Sequence, residues 1–420
     1  MNKIINQIIK KNLFSLRSTG NSMRLLLLPN DILYYKKNFR KISVNDLVLV
    51  KTEVKLFTHR VIYKTKKYLV TKGDNNIESD GKIYLKQILG KVYQIKRNGQ
   101  TINPNDLYLI QSTLYFREII KIKQAFEKEK IDYVILKGLP LHLYFEKLHP
   151  KRIYADCDVL IKKEHFFKAK RMIKKFGYRK TDEKNKQVEN NYFKNINGFT
   201  VVFDVHLEPA FLMTQFSGLE ALYPQKLIDQ LTVDLLNNKR PIKINGEKFF
   251  ILNSKFLILY LALHLFHHNF RGAFRYQFLD TVIRRSLDSR FRGNDKGIDW
   301  QNIKLTINKY QLTNFVYPVL MLIKKYYQSP IPKSFLKTIR PSRSYISSMI
   351  YHQRSIFNDE PRIGAGMNRF KNIFFLSPQP LWRKLTVFFH PQVIYFISLI
   401  LKKKLSSFFS SRQADPANLS

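Results

Sequence analysis

Arg152-Ile153-Tyr154-Ala155-Asp156-Cys157-Asp158-Val159-Leu160-Ile161 decides the fold class of this chain. Side chains alternate along a strand, so Tyr154, Asp156, Asp158 and Leu160 share one face while Ala155, Cys157, Val159 and Ile161 line an apolar other. Two carboxylates then point together from a buried strand. Adjacent negative charges repel unless a cation sits between them or one takes up a proton, so the pattern asks for a hard divalent metal with oxygen ligands. An Asp-x-Asp at a solvent-facing strand end would do nothing, and the surrounding sequence has to decide.

Upstream, Ile131-Asp132-Tyr133-Val134-Ile135-Leu136 reads as a short strand running into Lys137-Gly138. Leu139 to Phe145 then has helical spacing, with Pro140 in the first turn, where its missing N–H costs nothing. Backbone N–H groups at such a strand-to-helix turn, next to a lysine, make a phosphate cradle. Downstream, Phe199 to Leu207 is another strand with Val202, Asp204 and His206 on one face. Asp204 is the third carboxylate.

Val134-Ile135-Leu136-Lys137-Gly138, Arg152 ahead of Asp156-Cys157-Asp158, and Phe203-Asp204-Val205-His206 together resemble the poorly characterised nucleotidyltransferase family of the DNA polymerase β-like superfamily. The likeness continues through Leu252-Asn253-Ser254, a helix carrying His264, His267 and His268, then Phe278-Leu279-Asp280 and Asp299-Trp300, and so covers roughly residues 110 to 330. Lys-Gly stands where the superfamily has Gly-Ser. The resemblance implies Mg2+ (or Mn2+) held by Asp156, Asp158 and Asp204, with Asp204 also catalytic and His206 in support. It implies an NTP whose triphosphate is neutralised by Lys137, the Gly138 backbone and Arg152. The acceptor, whether protein, peptide or small molecule, is not named by the sequence.

The first hundred residues carry a separate constellation. Thr19-Gly20-Asn21-Ser22-Met23 places a serine in a turn. Val44 to Val50, Phe57 to Ile62 and Val70 to Asp80 follow as alternating segments joined by polar turns, which predicts a small β-rich domain. A nucleophilic serine needs a base, and the base needs a third group to hold its tautomer; Ser22, His59 and Asp80 can fill those roles in chain order. The succession Gly-x-Ser-Met, Asp-x-Val-x-Val, His-Arg-Val-Ile and Thr-Lys-Gly-Asp-Asn-Asn, ending at Ile88-Leu89-Gly90-Lys91-Val92, resembles the serine-peptidase clan of signal peptidases and SOS-response repressors. It is closest to the signal-peptidase branch with a histidine base. By that resemblance Ser22 is the nucleophile, His59 the base, Asp80 its orienter and Asp74 a structural or supporting carboxylate.

The 420 residues suffice for two cores, and the two motif sets fall on either side of the polar, turn-rich Asn98 to Asn105. Expected, therefore, is an α+β chain: a small β-rich peptidase-like domain over residues 1–104, then a polymerase β-like nucleotidyltransferase α/β domain with helical subdomain over 105–330, and a basic helical or interfacial tail over 331–420. Three functions follow from it. The first is nucleotidyl transfer to an unnamed acceptor. The second is serine endopeptidase activity with the other domain accessory. The third is a non-catalytic peptide-binding or membrane-surface scaffold.

With 73 Lys and Arg against 31 Asp and Glu, the formal charge of +42 attracts any polyanion. An adenine- and thymine-rich genome inflates Lys, Asn, Ile, Tyr and Phe together, and the cations are dispersed, so specific nucleic-acid binding is not indicated. The single Cys157 excludes a disulfide framework, and Met1 to Lys11 has too short an apolar core for a signal peptide. A cytoplasmic chain is expected, with peripheral contact with an anionic membrane on its inner face as a further option. That contact would come from Leu385 to Phe389 and Val393 to Leu401, which are split by His390-Pro391-Gln392 and flanked by Trp382, Arg383, Lys384 and Lys402-Lys403-Lys404. The same stretch can also pack as an apolar helix on its own domain. His264 and His268 have ligand spacing, but no zinc-peptidase glutamate accompanies them and Leu257, Leu261 and Leu265 mark an apolar face. They read as structural or substrate-contacting. Ser289 to Gly297 reads as an exposed loop, and Ser411 onward as a tail.

Overall fold

Alternation on a strand buried on both sides builds the first layer. In β3 (Leu47–Lys51), Leu47 and Leu49 enter one apolar cluster with Phe14, Leu33, Tyr35, Val92 and Ile95, while Val48 and Val50 enter another with Ile42, Val61, Leu69, Ile83 and Ile88. β3 is therefore central in an antiparallel sheet, flanked by β1 (Leu13–Arg17), β2 (Ile32–Lys36), β4 (Leu56–Lys64), β5 (Leu69–Lys72), β6 (Lys82–Ile83) and β7 (Ile88–Arg97). The spatial order is β1-β2-β7-β3-β4-β5-β6, with β8 (Gln100–Ile102) paired to β7. Residues 12–24, 26–37, 41–152, 154, 156–180, 189–209, 219–288, 297–341, 356–359, 365–391, 393–395 and 398 are described in this computed structural model. The Met1 to Lys11 segment, most of the expected 289–297 loop, Lys402-Lys403-Lys404 and the tail lie outside them.

Helix α1 (Asp106–Lys128) leads into an α/β region. Its sheet has the order β11-β12-β13-β10-β9-β15-β14. The strands are β9 (Tyr133–Gly138), β10 (Asp156–Ile161), β11 (Arg179–Lys180), β12 (Glu189–Ile196), β13 (Phe199–His206), β14 (Lys239–Ile244) and β15 (Glu247–Leu252). α2 (Leu139–Glu146), α3 (Phe166–Lys175) and α4 (Gln225–Asn237) interleave with them. A helical extension follows: α5 (Ser254–His267), α6 (Ala273–Leu287), α7 (Trp300–Lys309), α8 (Thr313–Tyr327), α9 (Lys333–Thr338), α10 (Ala365–Leu376) and α11 (Leu381–Leu385). α5 starts where Asn253 Oδ1 accepts the Phe256 N–H at 3.1 Å, and nearly every α5 side chain is buried, making it the central helix. Among the described residues no helix is long and apolar enough to cross a membrane.

In β10, Cys157 through Ile161 are all buried, so this strand has no solvent face beyond Asp156. The turn after β9 depends on Gly138, whose φ is +114°; a Cβ there would stand 2.8 Å from the Asp156 carbonyl oxygen. Gly138→Ala is expected to lower stability by at least about 2 kcal/mol, since left-handed strain and a backbone clash coincide. An unchanged urea midpoint would refute that.

The two regions are fastened together. Tyr63 on β4 donates from its hydroxyl to the Tyr326 carbonyl at 2.6 Å and packs against Tyr327 and Phe357. Residues 356–359 bridge them: Asn358 Oδ1 accepts the Ser79 N–H at 3.1 Å, the Asp359 N–H donates to Ile77 O at 2.8 Å, and Gly272 N–H donates to Asn358 O at 3.0 Å.

Candidate active site

Sheet register brings the three carboxylates together. β10 and β13 are parallel neighbours with Asp158 opposite Asp204, so both side chains leave the same face of the sheet. Asp156 precedes Asp158 by two residues and shares that face. One ligand oxygen from each of the three lies within 4.8 Å of the others, a spacing one divalent ion can bridge. Asp158 and Asp204 are buried, and Asp156 is half-buried at the rim.

Lys137 faces them from β9. The β9–β10 ladder pairs Asp158 with Lys137 and then Val159 with Ile135, so Leu136 is bulged out and Lys137 stands directly across from Asp158. Its Nζ is 2.6 Å from Asp156 Oδ2 and 2.5 Å from Asp158 Oδ2. Burial opposes both charges, yet the pairing outweighs it: Lys137 is held well above its ordinary range and Asp156 down to about 2. His206 Nε2 donates to Asp158 Oδ1 at 2.8 Å. Asp204 is the odd one out. Burial first, and the Asp158 charge second, push its carboxyl far above the usual carboxylate range, and its Oδ1 is buried with no hydrogen-bond partner. A buried carboxylate oxygen without a donor is costly unless a cation meets it, so this set fits a divalent metal.

A small cleft opens beside the carboxylates, lined by Lys137, Gly138, Arg152, Tyr154, Asp156, Leu261, His264, Phe274, Arg275 and Phe278. The Arg152 guanidinium lies between the Tyr154 ring (4.5 Å) and the Phe274 ring (4.2 Å) and donates to the Tyr154 hydroxyl at 2.7 Å. A second chamber of about 200 Å³ shares Arg152, Phe274 and Phe278 and reaches Val44 and Asn45 of the first region. A larger cavity of about 930 Å³, between the β4–β5 hairpin and helices α6 and α8, contains none of the carboxylates.

A family model described as "Uncharacterised nucleotidyltransferase" matches residues 106–328, more than half of the sequence. The chain belongs to that family. Two solved structures bear a weak likeness to it. One is the crystal structure of an antigenic nucleotidyltransferase-like protein from Paracoccidioides brasiliensis, 15% identical, covering 58% of this chain and 96% of that one with a TM-score of 0.31. The other is the solution structure of the antibiotic-resistance factor ANT(2'')-Ia, 14% identical, covering 53% and 93% with a TM-score of 0.25. No curated protein matches the sequence. The likenesses are too distant to carry an argument, and the site is read from its own residues.

Sequence reasoning missed Arg275. It enters the cleft beside the carboxylates from the first turn of α6, and its charge acts on Asp156, His264 and His268. No local motif announces it; the only hint is the glycine break at Gly272 between two helices. His264 and His268 stand with their Nε2 atoms 3.2 Å apart, and burial, together with Lys137 and Arg275, pushes both well below the ordinary histidine range. His264 lines the cleft, and neither histidine belongs to the carboxylate cluster.

In the first region, Ser22, His59 and Asp80 also meet. His59 Nδ1 lies 2.7 Å from Asp80 Oδ2, and its Nε2 lies 2.9 Å from Ser22 Oγ. Thr71 Oγ1 donates to the same Asp80 oxygen at 2.7 Å. Backbone fixes the serine: the Asn75 N–H donates to Ser22 O at 2.8 Å, and a Cβ on Gly73 would come within 2.6 Å of that oxygen.

Asp74 does not touch this trio. Both its oxygens accept from Arg60, at 2.6 and 2.5 Å. Arg60 is buried, bonds the Tyr108 hydroxyl, and donates from Nη1 to Asn45 O at 3.0 Å and to Lys151 O at 3.1 Å, just ahead of Arg152. Asp74→Ala would strip the carboxylate from a buried guanidinium and is expected to cost about 3 kcal/mol, read as a lower urea midpoint at unchanged slope. A loss under about 1 kcal/mol would mean that the carbonyls and Tyr108 suffice.

Proposed function

We propose that this chain is a metal-dependent nucleotidyltransferase that moves a nucleoside monophosphate from an NTP to an acceptor hydroxyl. The observation that carries the proposal is the convergence of Asp156, Asp158 and Asp204 within 4.8 Å, with Asp204 Oδ1 unpaired. A divalent cation, Mg2+ or Mn2+, bound there would supply charge neutralisation at the α-phosphate and a lowered pKa for the attacking hydroxyl. Asp204 takes the proton as the acceptor oxygen bonds to the α-phosphorus and the bond to pyrophosphate breaks. Arg152, pre-stacked between two rings, and Arg275 make the positive wall for the triphosphate. Lys137 balances the paired carboxylates, and the positive-φ Gly138 keeps the backbone low beside Asp156. The polymerase β-like assignment rests on this arrangement together with the motif order. Purified protein with magnesium and labelled NTPs tests it: label should move to a component of a cell extract or to the chain itself, and no transfer with any of the four nucleotides would count against it.

The hydrogen-bonded order Ser22-His59-Asp80 favours a second reading, that the first region is a signal-peptidase-like serine hydrolase acting on a peptide. His59 would accept the Ser22 proton as Oγ attacks a peptide carbonyl and pass it to the amine that leaves as the C–N bond breaks, water then releasing the acyl group; Asp80, itself held by Thr71, would keep the imidazole oriented.

A further inference from the structure

The segment after α10 carries an exposure pattern that nucleotidyl transfer does not need. α11 and the short 3-10 turn Thr386–Phe389 that follows it bury Lys384 and Val387. Leu381, Trp382, Leu385 and Phe389 stand outward, while Phe388, partly exposed, packs on Phe370 and Phe374. Trp382 is 71% exposed, Phe389 81% and Leu381 64%, against 1% for Val387. Ile394 and Tyr395 continue the exposed apolar set, while Val393 is buried. The segment is anchored from beneath: Ser377 Oγ donates to Leu222 O at 2.5 Å and Asn314 Nδ2 to Leu376 O at 2.9 Å. A helix packed on its own domain accounts for the buried Lys384, Val387 and Val393 and leaves the outward side chains unexplained.

We infer that this face docks on an anionic lipid bilayer surface. Large rings held in water by an anchored backbone gain by entering an apolar phase, and Trp and Tyr favour the headgroup level, where one end is apolar and the other wet. Charge names the occupant. From Pro361 to Arg412 the sequence carries nine Lys and Arg and no Asp or Glu; Lys384 is buried under the face and Arg383 pairs with Glu220, so the attraction rests on the other seven. Such a stretch is attracted to phospholipid phosphates and gains from each cation brought near them. A second copy of the chain is a poorer occupant, because each copy carries +42 and the two would repel. The outward side chains line one side of a short segment whose other side is packed on the protein, so the docking inferred is in the plane of the surface.

The test uses the full chain with vesicles of phosphatidylcholine alone or with about 30% phosphatidylglycerol. Sedimentation should occur with the anionic vesicles, fall as salt rises from about 0.1 to 0.5 M, and be weak with the neutral ones. The chain has two tryptophans, and Trp300 packs on Phe335, so a Trp300→Phe background reports Trp382 alone. Its emission should shift to the blue on anionic vesicles and be quenched by brominated acyl chains. Trp382→Ser with Phe389→Ser, both outward and without consequence for the core, should weaken vesicle binding about tenfold or more. Equal sedimentation of the double variant would overturn the inference in favour of charge alone. So would an unshifted Trp382 spectrum, or a dimer in ultracentrifugation that the double variant dissolves while vesicles bind neither form.

Discussion

Asp158→Asn is expected to remove magnesium-dependent nucleotide binding and nucleotidyl transfer while the chain stays folded. Asp158 is the centre of the cluster: it accepts from His206, pairs with Lys137 and neighbours Asp204 in the parallel ladder. An amide keeps the shape and loses the charge. Replacing groups that merely touch a metal ligand costs about 10–100-fold in metal affinity, so loss of a ligand charge should exceed that. Asp156→Asn should act in the same direction, whereas His206→Gln, which leaves all three carboxylates, should be milder. Calorimetry with a non-hydrolysable nucleotide and magnesium reads the binding, and circular dichroism reports the fold. Wild-type affinity in a folded Asp158→Asn variant would sink the metal-site reading and leave the cluster as a structural ion network around Lys137.

Serine-directed labelling should divide the variants of the first region just as sharply. A fluorophosphonate reacts only with an activated serine, so the wild type should label and both Ser22→Ala and His59→Ala should not. Asp80→Asn keeps the hydrogen-bonded shape but reverses one bond's polarity, and in a working triad that change costs about four orders of magnitude. Thr71→Val removes only the second bond to Asp80 and should slow labelling modestly. Label that survives Ser22→Ala, or none in the wild type, would leave the Ser22-His59-Asp80 chain as a binding or structural element. The nucleotidyltransferase proposal stands apart from this outcome, since Asp158→Asn is not expected to alter labelling.

What the sequence determined by itself is local. Alternation put Asp156 and Asp158 on one face, because side-chain direction on a strand depends on nothing beyond the strand. The Lys137-Gly138-Leu139-Pro140 run announced a turn into a helix, because the demand for glycine and the tolerance for proline arise within a few residues. The tertiary structure decided the rest through distances no local pattern encodes. Register, which is set by matching whole apolar faces, put Asp204 beside Asp158. One bulged residue, Leu136, set the register that stands the Lys137 ammonium against Asp156 and Asp158. The partner of Asp74 was not legible either, because the Arg60 guanidinium that meets both its oxygens reaches it only across the folded sheet. Arg275 reached the cleft only because α6 packs across it. Likewise, the composition of Leu381 to Tyr395 allowed either burial or exposure, and the helices beneath it chose which side chains remain in water.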